Sequence, residues 1–343
     1  MTTPVLDDGE PVVVPIEDAL DLHPFAPRDI PSVVESYLEA AVEAGFREVR
    51  LIHGRGRGVQ RERVRAVLAA SPYVARFDDA PPARGGSGAT IAWLRPPARE
   101  RLIALWRDAG SVVVLTGAGL STASGIPDFR SPGGRWERYQ PVPLPEFLAS
   151  EEKRAEYWRY KGETWRLINA ARPNAAHVAL ADLARAGRIA LLVTQNVDGL
   201  HERSGFPADR LVNIHGTDSA VECMRCHRRE PRALAQEAWE AGTAVPRCGC
   251  GGPWKPATIS FGQSLVAADL ERAMRAAAGA GLLLAAGSSL VVGPVNQMVP
   301  AARAAGGRIA IVTASETPFD PVADVKIADA VEDVLPAVRD ALA

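Results

Sequence analysis

The fold turns on one stretch, Val112-Val113-Val114-Leu115-Thr116-Gly117-Ala118-Gly119. Four consecutive apolar residues read as a strand covered on both faces, as parallel strands are. The glycines that follow let backbone N–H groups come close to a pyrophosphate. A glycine pair also serves a plain strand-to-helix turn, so at this point both readings stand. The fingerprint of hydride-transfer dinucleotide enzymes wants a glycine three residues after Gly119, where this chain has Thr122, and that class is disfavoured.

Moving outward, apolar runs at 189–193, 282–286 and 308–313 alternate with helical periods, the pattern of an α/β, doubly wound parallel Rossmann-like sheet. Upstream, Arg95-Pro96-Pro97-Ala98-Arg99 breaks regular structure. It places a linker at 96–101, between a small α/β domain over 16–95 and a larger one over 102–343. In the first, 32–44 has apolar residues at 33, 34, 37, 38, 41 and 42, a helical period, and 48–53 reads as a strand. A second helix is expected over 61–70, with Val64, Val67 and Leu68 on one face, and a closing strand over 90–94. Residues 1–15 show no period and read as a loose tail.

A chain of 343 residues with 47% hydrophobic and 23% charged residues has material for two cores and is not globally disordered. Lys+Arg 39 against Asp+Glu 41 gives a net charge of -2, so any attraction for nucleic acid or anionic surfaces must be local. No apolar run approaches the roughly 20 residues of a membrane span, and the start lacks a basic and then apolar leader. A cytoplasmic protein without a membrane partner is expected. The four cysteines, Cys223, Cys226, Cys248 and Cys250, are too few for a disulfide scaffold and cluster within a segment at about 219–256 that reads as a small separate lobe. Metal binding is the leading explanation. Lysine occurs only at 153, 161, 255 and 326, and arginine carries the remaining positive charge.

Several ordered blocks go further. Gly117-Ala118-Gly119-Leu120-Ser121-Thr122-Ala123-Ser124-Gly125-Ile126-Pro127-Asp128-Phe129-Arg130, Thr194-Gln195-Asn196-Val197-Asp198-Gly199-Leu200-His201 and His215-Gly216 stand in this order. With Arg172-Pro173-Asn174, Phe261-Gly262-Gln263, Gly287-Ser288-Ser289-Leu290 and Thr317-Pro318, they make the chain from about 102 onward resemble the sirtuin family of NAD-dependent protein deacylases.

The resemblance implies NAD as cofactor, acylated lysine in a protein as substrate, and nicotinamide and O-acyl-ADP-ribose as products. Breaking the nicotinamide–ribose bond develops oxocarbenium character at the sugar, against which an acyl-lysine carbonyl must be held. A base is then needed near the ribose hydroxyls. The family gives that role to His215, whose ordinary pKa near 6.5 suits it. Asn196 and Asp198, at i and i+2 past a strand end, face one side of an extended backbone. The family implies that Asp198, with Ile126, holds the nicotinamide carboxamide while Gln195 and Asn196 contact ribose and Val197 lies between them. Capping of the strand end by Asn and Asp is the plainer alternative.

Gly117, Ala118, Gly119, Ser121, Thr122, Pro127, Asp128, Phe129 and Arg130 are likewise implied as the phosphate turn and cofactor loop. Gly287, Ser288, Ser289 and Thr313 fall to the adenosine side, and Phe129, His215, Ile259, Phe261 and Gly262 to the acyl-lysine. His177 and His201 match family positions and read as structural. Ser288, Gln263 and Thr313 depart from the residues common in the family, each keeping hydrogen-bonding capacity. Acidic-acyl specialists in the family resemble one another in a Tyr-x-x-Arg pair. Here Tyr157 is followed at i+3 by Tyr160, and Tyr160 by Glu163, so an uncharged acyl group, acetyl first, is expected.

Cys223-x-x-Cys226 and Cys248-x-Cys250 resemble the zinc ribbon of that family, one structural zinc on four thiolates. The second pair is a residue short, with Gly249 to permit a tight turn; entry of His227 into the shell, or thiols without metal, are the alternatives.

Residues 16–95 resemble the Smr domain, a nucleic-acid-associated module with some endonuclease members, through Leu20-Asp21-Leu22-His23, His53-Gly54-Arg55-Gly56-Arg57-Gly58 and Gly85-Gly86-Ser87-Gly88-Ala89-Thr90. Seven arginines at 47–65 face only Glu48 and Glu62, a local net of +5, which reads as a patch for RNA or DNA or else as a solvated helix face. Asp21, His23 and His53 could position a metal or a proton acceptor, beside Gly54, Arg55, Gly56 and Arg57.

The expected function is an NAD-dependent protein lysine deacylase, most readily a deacetylase. The alternatives are an NAD- or ADP-ribose-sensing nucleic-acid module and a protein mono-ADP-ribosyltransferase.

Overall fold

The computed structural model describes residues 16–129 and 140–343. It divides into a unit ending at Glu100 and a unit beginning at Arg101. Among the described residues no helix is long and apolar enough to cross a membrane.

The first unit runs β1 (Ala19–Asp21), α1 (Ile30–Glu43), β2 (Glu48–Ile52), α2 (Val59–Ala70), β3 (Val74–Asp79) and β4 (Ala89–Leu94). The sheet order is β1-β2-β4-β3, with β1 parallel to β2 and β4 antiparallel to both its neighbours. Strand period sets the core: Val49 and Leu51 of β2 are fully buried, whereas Glu48, Arg50 and Ile52 between them are half-buried. Against the buried face lie Val34, Leu38 and Ala41 of α1 with Val64 and Leu68 of α2, one continuous cluster. The helices and the central strands stand where their periods place them. The edge strands β1 and β3 carry no such signal, since one has three residues and the other mixes Arg76, Asp78 and Asp79 with its apolar positions.

α3 (Ala98–Asp108) starts right after Pro97, so the linker expected at 96–101 is helical from Ala98 and the division falls within α3; the second unit continues through β5 (Val112–Thr116), α4 (Leu144–Ala149), α5 (Glu151–Ala170), α6 (Ala175–Arg185), β6 (Leu191–Thr194), α7 (Leu200–Arg203) and β7 (Leu211–Asn213). After an inserted lobe come α9 (Ala267–Ala278), β11 (Leu282–Ala286), α10 (Met298–Ala304), β12 (Arg308–Val312), β13 (Val325–Ile327) and α11 (Val331–Leu342). All six strands of the main sheet are parallel, in the order β13-β12-β11-β5-β6-β7. Val113, Leu115, Leu283, Ala285, Ile309 and Ile311 pack with α9 and α10. Their alternates Val112, Val114, Leu282 and Leu284 are buried as well, as a sheet covered on both faces requires.

Chain order reverses between β5 and β11, which are direct neighbours, so a topological switch point opens at their carboxyl ends, after Thr116 and Ala286. This is where a doubly wound sheet binds its ligand.

The lobe spans β8 (Gly216–Cys223), β9 (Arg229–Pro231), α8 (Arg232–Glu240) and β10 (Trp254–Thr258), with sheet order β10-β8-β9, all antiparallel. Its apolar residues Val221, Ala235, Val245 and Trp254 share a core with Phe147 of α4 and Tyr157 and Trp158 of α5. The lobe therefore packs against α4 and α5.

Candidate active site, zinc centre and glycine turn

The turns after β5 and β11 touch. A Cβ on Gly117 or Gly119 would lie 2.8 or 2.9 Å from the Gly287 carbonyl oxygen, and one on Gly287, whose φ is +62°, would lie 2.2 Å from the Leu120 nitrogen. These glycines thus close the switch point as well as baring backbone to a ligand. Asn174 ties the next helix to the same turn: its Oδ1 caps α6 by accepting from Ala176 and His177, while its Nδ2 donates to the Leu120 carbonyl at 2.8 Å.

A cavity of about 980 Å³ opens over this point. Gly117, Ala118, Gly119, Ser121, Ile126, Asp128, Phe129, Gln195, Asn196, Val197, Asp198, His215, Ile259, Phe261, Gly262, Gly287, Ser288, Ser289 and Thr313 all line it. Thr122 and Pro127 do not; Thr122 instead closes the turn by donating to the Gly119 carbonyl at 2.9 Å. Arg130 lies outside the described residues. Tyr157, Tyr160 and Lys161 of α5 also line the cavity; the sequence analysis weighed the two tyrosines only for the acyl preference and did not place Lys161 in the site, although their i, i+3, i+4 spacing puts all three on one helix face.

Within the cavity Asn196 and Asp198 are joined through Ser121. Asn196 Nδ2 donates to Ser121 Oγ (3.1 Å) and to the Gly117 carbonyl (3.0 Å), and Ser121 Oγ donates to Asp198 Oδ2 (2.8 Å). Asp198 Oδ1 accepts from the Leu200 N–H at 2.9 Å, so Asp198 lines the cavity and is tied to the first turn of α7 rather than to the strand end. Gln195 Oε1 accepts from Ser288 Oγ at 2.7 Å, linking the β6 end to the β11 end. Thr313 is buried just past β12, its N–H donating to the Ile327 carbonyl.

His215 Nδ1 lies 3.1 Å from the Gln195 carbonyl oxygen, which can only accept. The ring proton therefore sits on Nδ1, and Nε2 is left as the acceptor. Burial lowers the pKa of this imidazole below its ordinary value, with the Gln195 carbonyl opposing, so the ring is neutral at pH 7. The Ile259 N–H donates to the His215 carbonyl at 2.8 Å, which fixes Ile259 beside the base. Gln263 also lines the cavity, and its Oε1 accepts from Lys255 Nζ (3.2 Å) and from the Ser260 N–H (3.1 Å).

The rings of His177 and His201 pack at a tilt of 55° with centroids 5.0 Å apart, and His201 Nε2 pairs with Thr116 Oγ1 at 3.0 Å. Burial pushes His177 down to about 4, and His201 falls the same way, so both are neutral packing groups.

The four cysteine sulfurs lie within 4.8 Å of one another, at 3.5 Å for Cys223–Cys250 and 3.8 Å for Cys226–Cys248. Zinc–sulfur bonds of about 2.3 Å in a tetrahedron put sulfurs about 3.8 Å apart, so the cluster fits one closed zinc site. The short Cys248-x-Cys250 pair reaches because Gly251 turns the chain at φ +85°, its N–H bonded to the Cys248 carbonyl. Burial raises the Cys223 thiol, but the backbone N–H groups of Cys226 and Arg225 outweigh it and bring it down to about 7, toward the thiolate that zinc binds. His227 is no ligand: it is exposed, its Nδ1 paired with Glu222 at 3.1 Å.

In the first unit, His23 Nδ1 is 2.6 Å from Asp21 Oδ1, and the ring lies where a Cβ on Gly54 would be 2.8 Å from Nε2. Hydrogen bonds from the His23 backbone and ring lower the Asp21 pKa. His53 stands apart, buried, with Nε2 on Thr90 Oγ1 (3.0 Å) and Nδ1 on the Gly54 carbonyl (3.1 Å). Among the described residues no cluster of three metal-ligating side chains forms around these groups. The basic patch also shrinks. Arg61 and Arg65 both bind Asp79, Arg47 binds Glu100 at 2.6 Å, and Arg63 donates to the Pro27 carbonyl. Among the described residues Arg55 and Arg57, exposed on the glycine turn, have no acidic partner.

The profile of the Sir2 family matches residues 117–294, and that of the Smr domain matches residues 20–95. An NAD-dependent protein deacetylase of Rhodopseudomonas palustris is 40% identical over 229 residues, 66% of this chain and 90% of the relative. One of Sulfurisphaera tokodaii is 36% identical over 229 residues, 66% of this chain and 89% of its own length. Two solved structures are similar: a Sir2 with a p53 peptide and NAD+ (32% identity, TM-score 0.65) and a Sir2 bound to acetylated peptide (31% identity, TM-score 0.64), each covering 70% of this chain and 97% of the other.

Proposed function

Because the chain belongs to the Sir2 family and is an NAD-dependent protein deacetylase, we propose that the cavity at the β5–β11 switch point performs the reaction with His215 as its base. The observation that carries this reading is the His215 ring itself, with Nδ1–H fixed on the Gln195 carbonyl and Nε2 left to take a proton at neutral pH.

Bound NAD supplies the electrophilic sugar carbon. Asp198, held through Ser121, orients the nicotinamide amide beside Ile126; Gln195 and Asn196 position ribose; Phe129 screens water from the sugar. Ser288, Ser289 and Thr313 hold the adenosine side, and Ile259, Phe261 and Gly262 hold the acyl-lysine. His215 Nε2 would accept the proton of a ribose hydroxyl once the acyl oxygen had displaced nicotinamide from the sugar carbon, and addition of water would release free lysine and leave O-acyl-ADP-ribose as product. One zinc on the four cysteines holds the lobe that presents Gly216 and Thr258 to this wall.

For the first unit the reading is nucleic-acid binding at the turn of Gly54, Arg55, Gly56 and Arg57, supported by two exposed guanidiniums that have no acidic partner among the described residues and stand beside glycine backbone. It would bring the deacetylase to acylated proteins on RNA or DNA by raising effective concentration. The test is a gel shift beside a deacetylation assay. Deleting residues 1–95 should abolish binding and leave turnover of a free acetyl-peptide within about twofold. The double variant Arg55→Ala, Arg57→Ala should weaken duplex binding and flatten the slope of log K against log salt by about 2, the counterions of two phosphates. Binding that survives the deletion, or none in the full-length chain at low salt, would end the tethering idea.

A further inference from the structure

Lys255, on β10, carries a buried ammonium: the residue is 1% exposed, and burial lowers its pKa below the ordinary value. Among the described residues it forms no ion pair. The groups that accept from its Nζ are all neutral, the carbonyls of Pro256 (3.3 Å) and Thr258 and the Oε1 of Gln263 (3.2 Å). Taking a charge out of water is costly, and an apolar side chain of similar length would fill the same space without that cost. What the ammonium adds is local shape.

The β8–β10 ladder shifts register between Pro256 and Thr258, and Nζ bonds the carbonyls of both residues, bracing the irregular step. Further on, Gln263 Oε1 accepts from the Ser260 N–H as well as from Lys255, and the Gln263 N–H donates back to the Ser260 carbonyl at 3.0 Å. Residues 258–263 are thereby closed into a loop whose two ends, the Thr258 carbonyl and the Gln263 amide, are tied to one ammonium. The loop carries Ile259, Phe261 and Gly262. Phe261 is 51% exposed, so packing alone does not hold it in place. Thr258, Ile259, Phe261, Gly262 and Gln263 line the cavity, whereas Lys255 lies behind them. Lys255 therefore acts on a ligand through the loop.

We propose that Lys255 is a positioning residue for the acylated substrate: its ammonium, through the Thr258 carbonyl and Gln263, holds the 258–263 loop in the shape that Ile259, Phe261 and Gly262 present to the acyl-lysine. A loop already ordered spares the incoming peptide the entropy of ordering it, so the gain falls on peptide binding and not on NAD. The proposal rests on the reading of those three residues as substrate contacts.

The test uses the full-length zinc-loaded protein and one acetyl-lysine peptide, with nicotinamide release as readout. Lys255→Met should raise the KM for peptide about tenfold, the size of one hydrogen bond to a charged group, while the KM for NAD stays within about twofold and zinc content is unchanged. Lys255→Arg, which keeps the charge and the donors, should recover most of the loss. Gln263→Leu should raise the peptide KM about threefold or more, and in the double variant the two effects should fall short of multiplying, because both cut one network. Peptide KM within about twofold of wild type in both single variants, an equal loss on NAD, or full multiplication in the double variant overturns the proposal. Gln263 is only half-buried, so its variant decides even if Lys255→Met does not fold. Phe261→Ala separates the two levels of the argument. If it too leaves the peptide KM unmoved, the reading of the substrate wall falls with the proposal; if it raises that KM while the Lys255 and Gln263 variants do not, the proposal falls alone.

Discussion

His215→Tyr is expected to lower turnover of acetyl-peptide at least a hundredfold while zinc content and melting temperature stay near wild type. A phenol with a pKa of about 10 cannot take the ribose proton at pH 7, and loss of a general base costs about 10²-fold or more. The ring is half-buried at the cavity wall and bonded through one nitrogen to a backbone carbonyl, so its replacement leaves the sheet core intact. The pH profile of wild type follows from the same geometry. Burial holds the folded pKa below 6.5, so kcat/KM should be level from pH 8 to about that value and fall only in more acid solution. Activity of the variant within tenfold of wild type would remove His215 from its role.

Cys223→Ser should act on the fold rather than on the rate. Structural zinc in small lobes contributes about 10–16 kcal/mol of apparent binding energy to folding, and three thiolates hold it far less well than four. Cys223 ends β8, whose first residue, Gly216, pairs with Thr258 and directly follows His215. Disorder in the lobe therefore reaches the base. The variant should come out zinc-poor and poorly soluble, with a much lower melting temperature, and strong chelators should do the same to wild type. Absence of zinc from purified wild type, or a serine variant that melts with it, would contradict the four-thiolate site.

What could be read from the sequence followed the physical range of each signal. β5 and β11 were legible because parallel central strands are apolar without interruption, and the glycines after them because two turns must touch. β7 and β13, with three residues each, are too short to show a period. Arg61 counted toward a basic patch because its partner Asp79 lies 18 residues away on the polar edge strand β3. Lys161 passed unnoticed for the same reason, since Asp218 is 57 residues further on and Arg232 beyond that. Motifs whose residues act within one loop, such as Gln195 to Asp198, were legible. Charge balance was not, because it is set by folding.

The most direct measurement of the central claim is a product balance. Full-length protein, NAD and an acetyl-lysine peptide are incubated together, and nicotinamide, deacetylated peptide and the ADP-ribose product are quantified by mass spectrometry. If His215 and the switch-point residues transfer the acyl group to the sugar, the three appear in equal amounts and the sugar product carries the acetyl group as O-acetyl-ADP-ribose. Nicotinamide release accompanied by ADP-ribosylated protein and intact acetyl-peptide would contradict the account, as would NAD binding with no turnover.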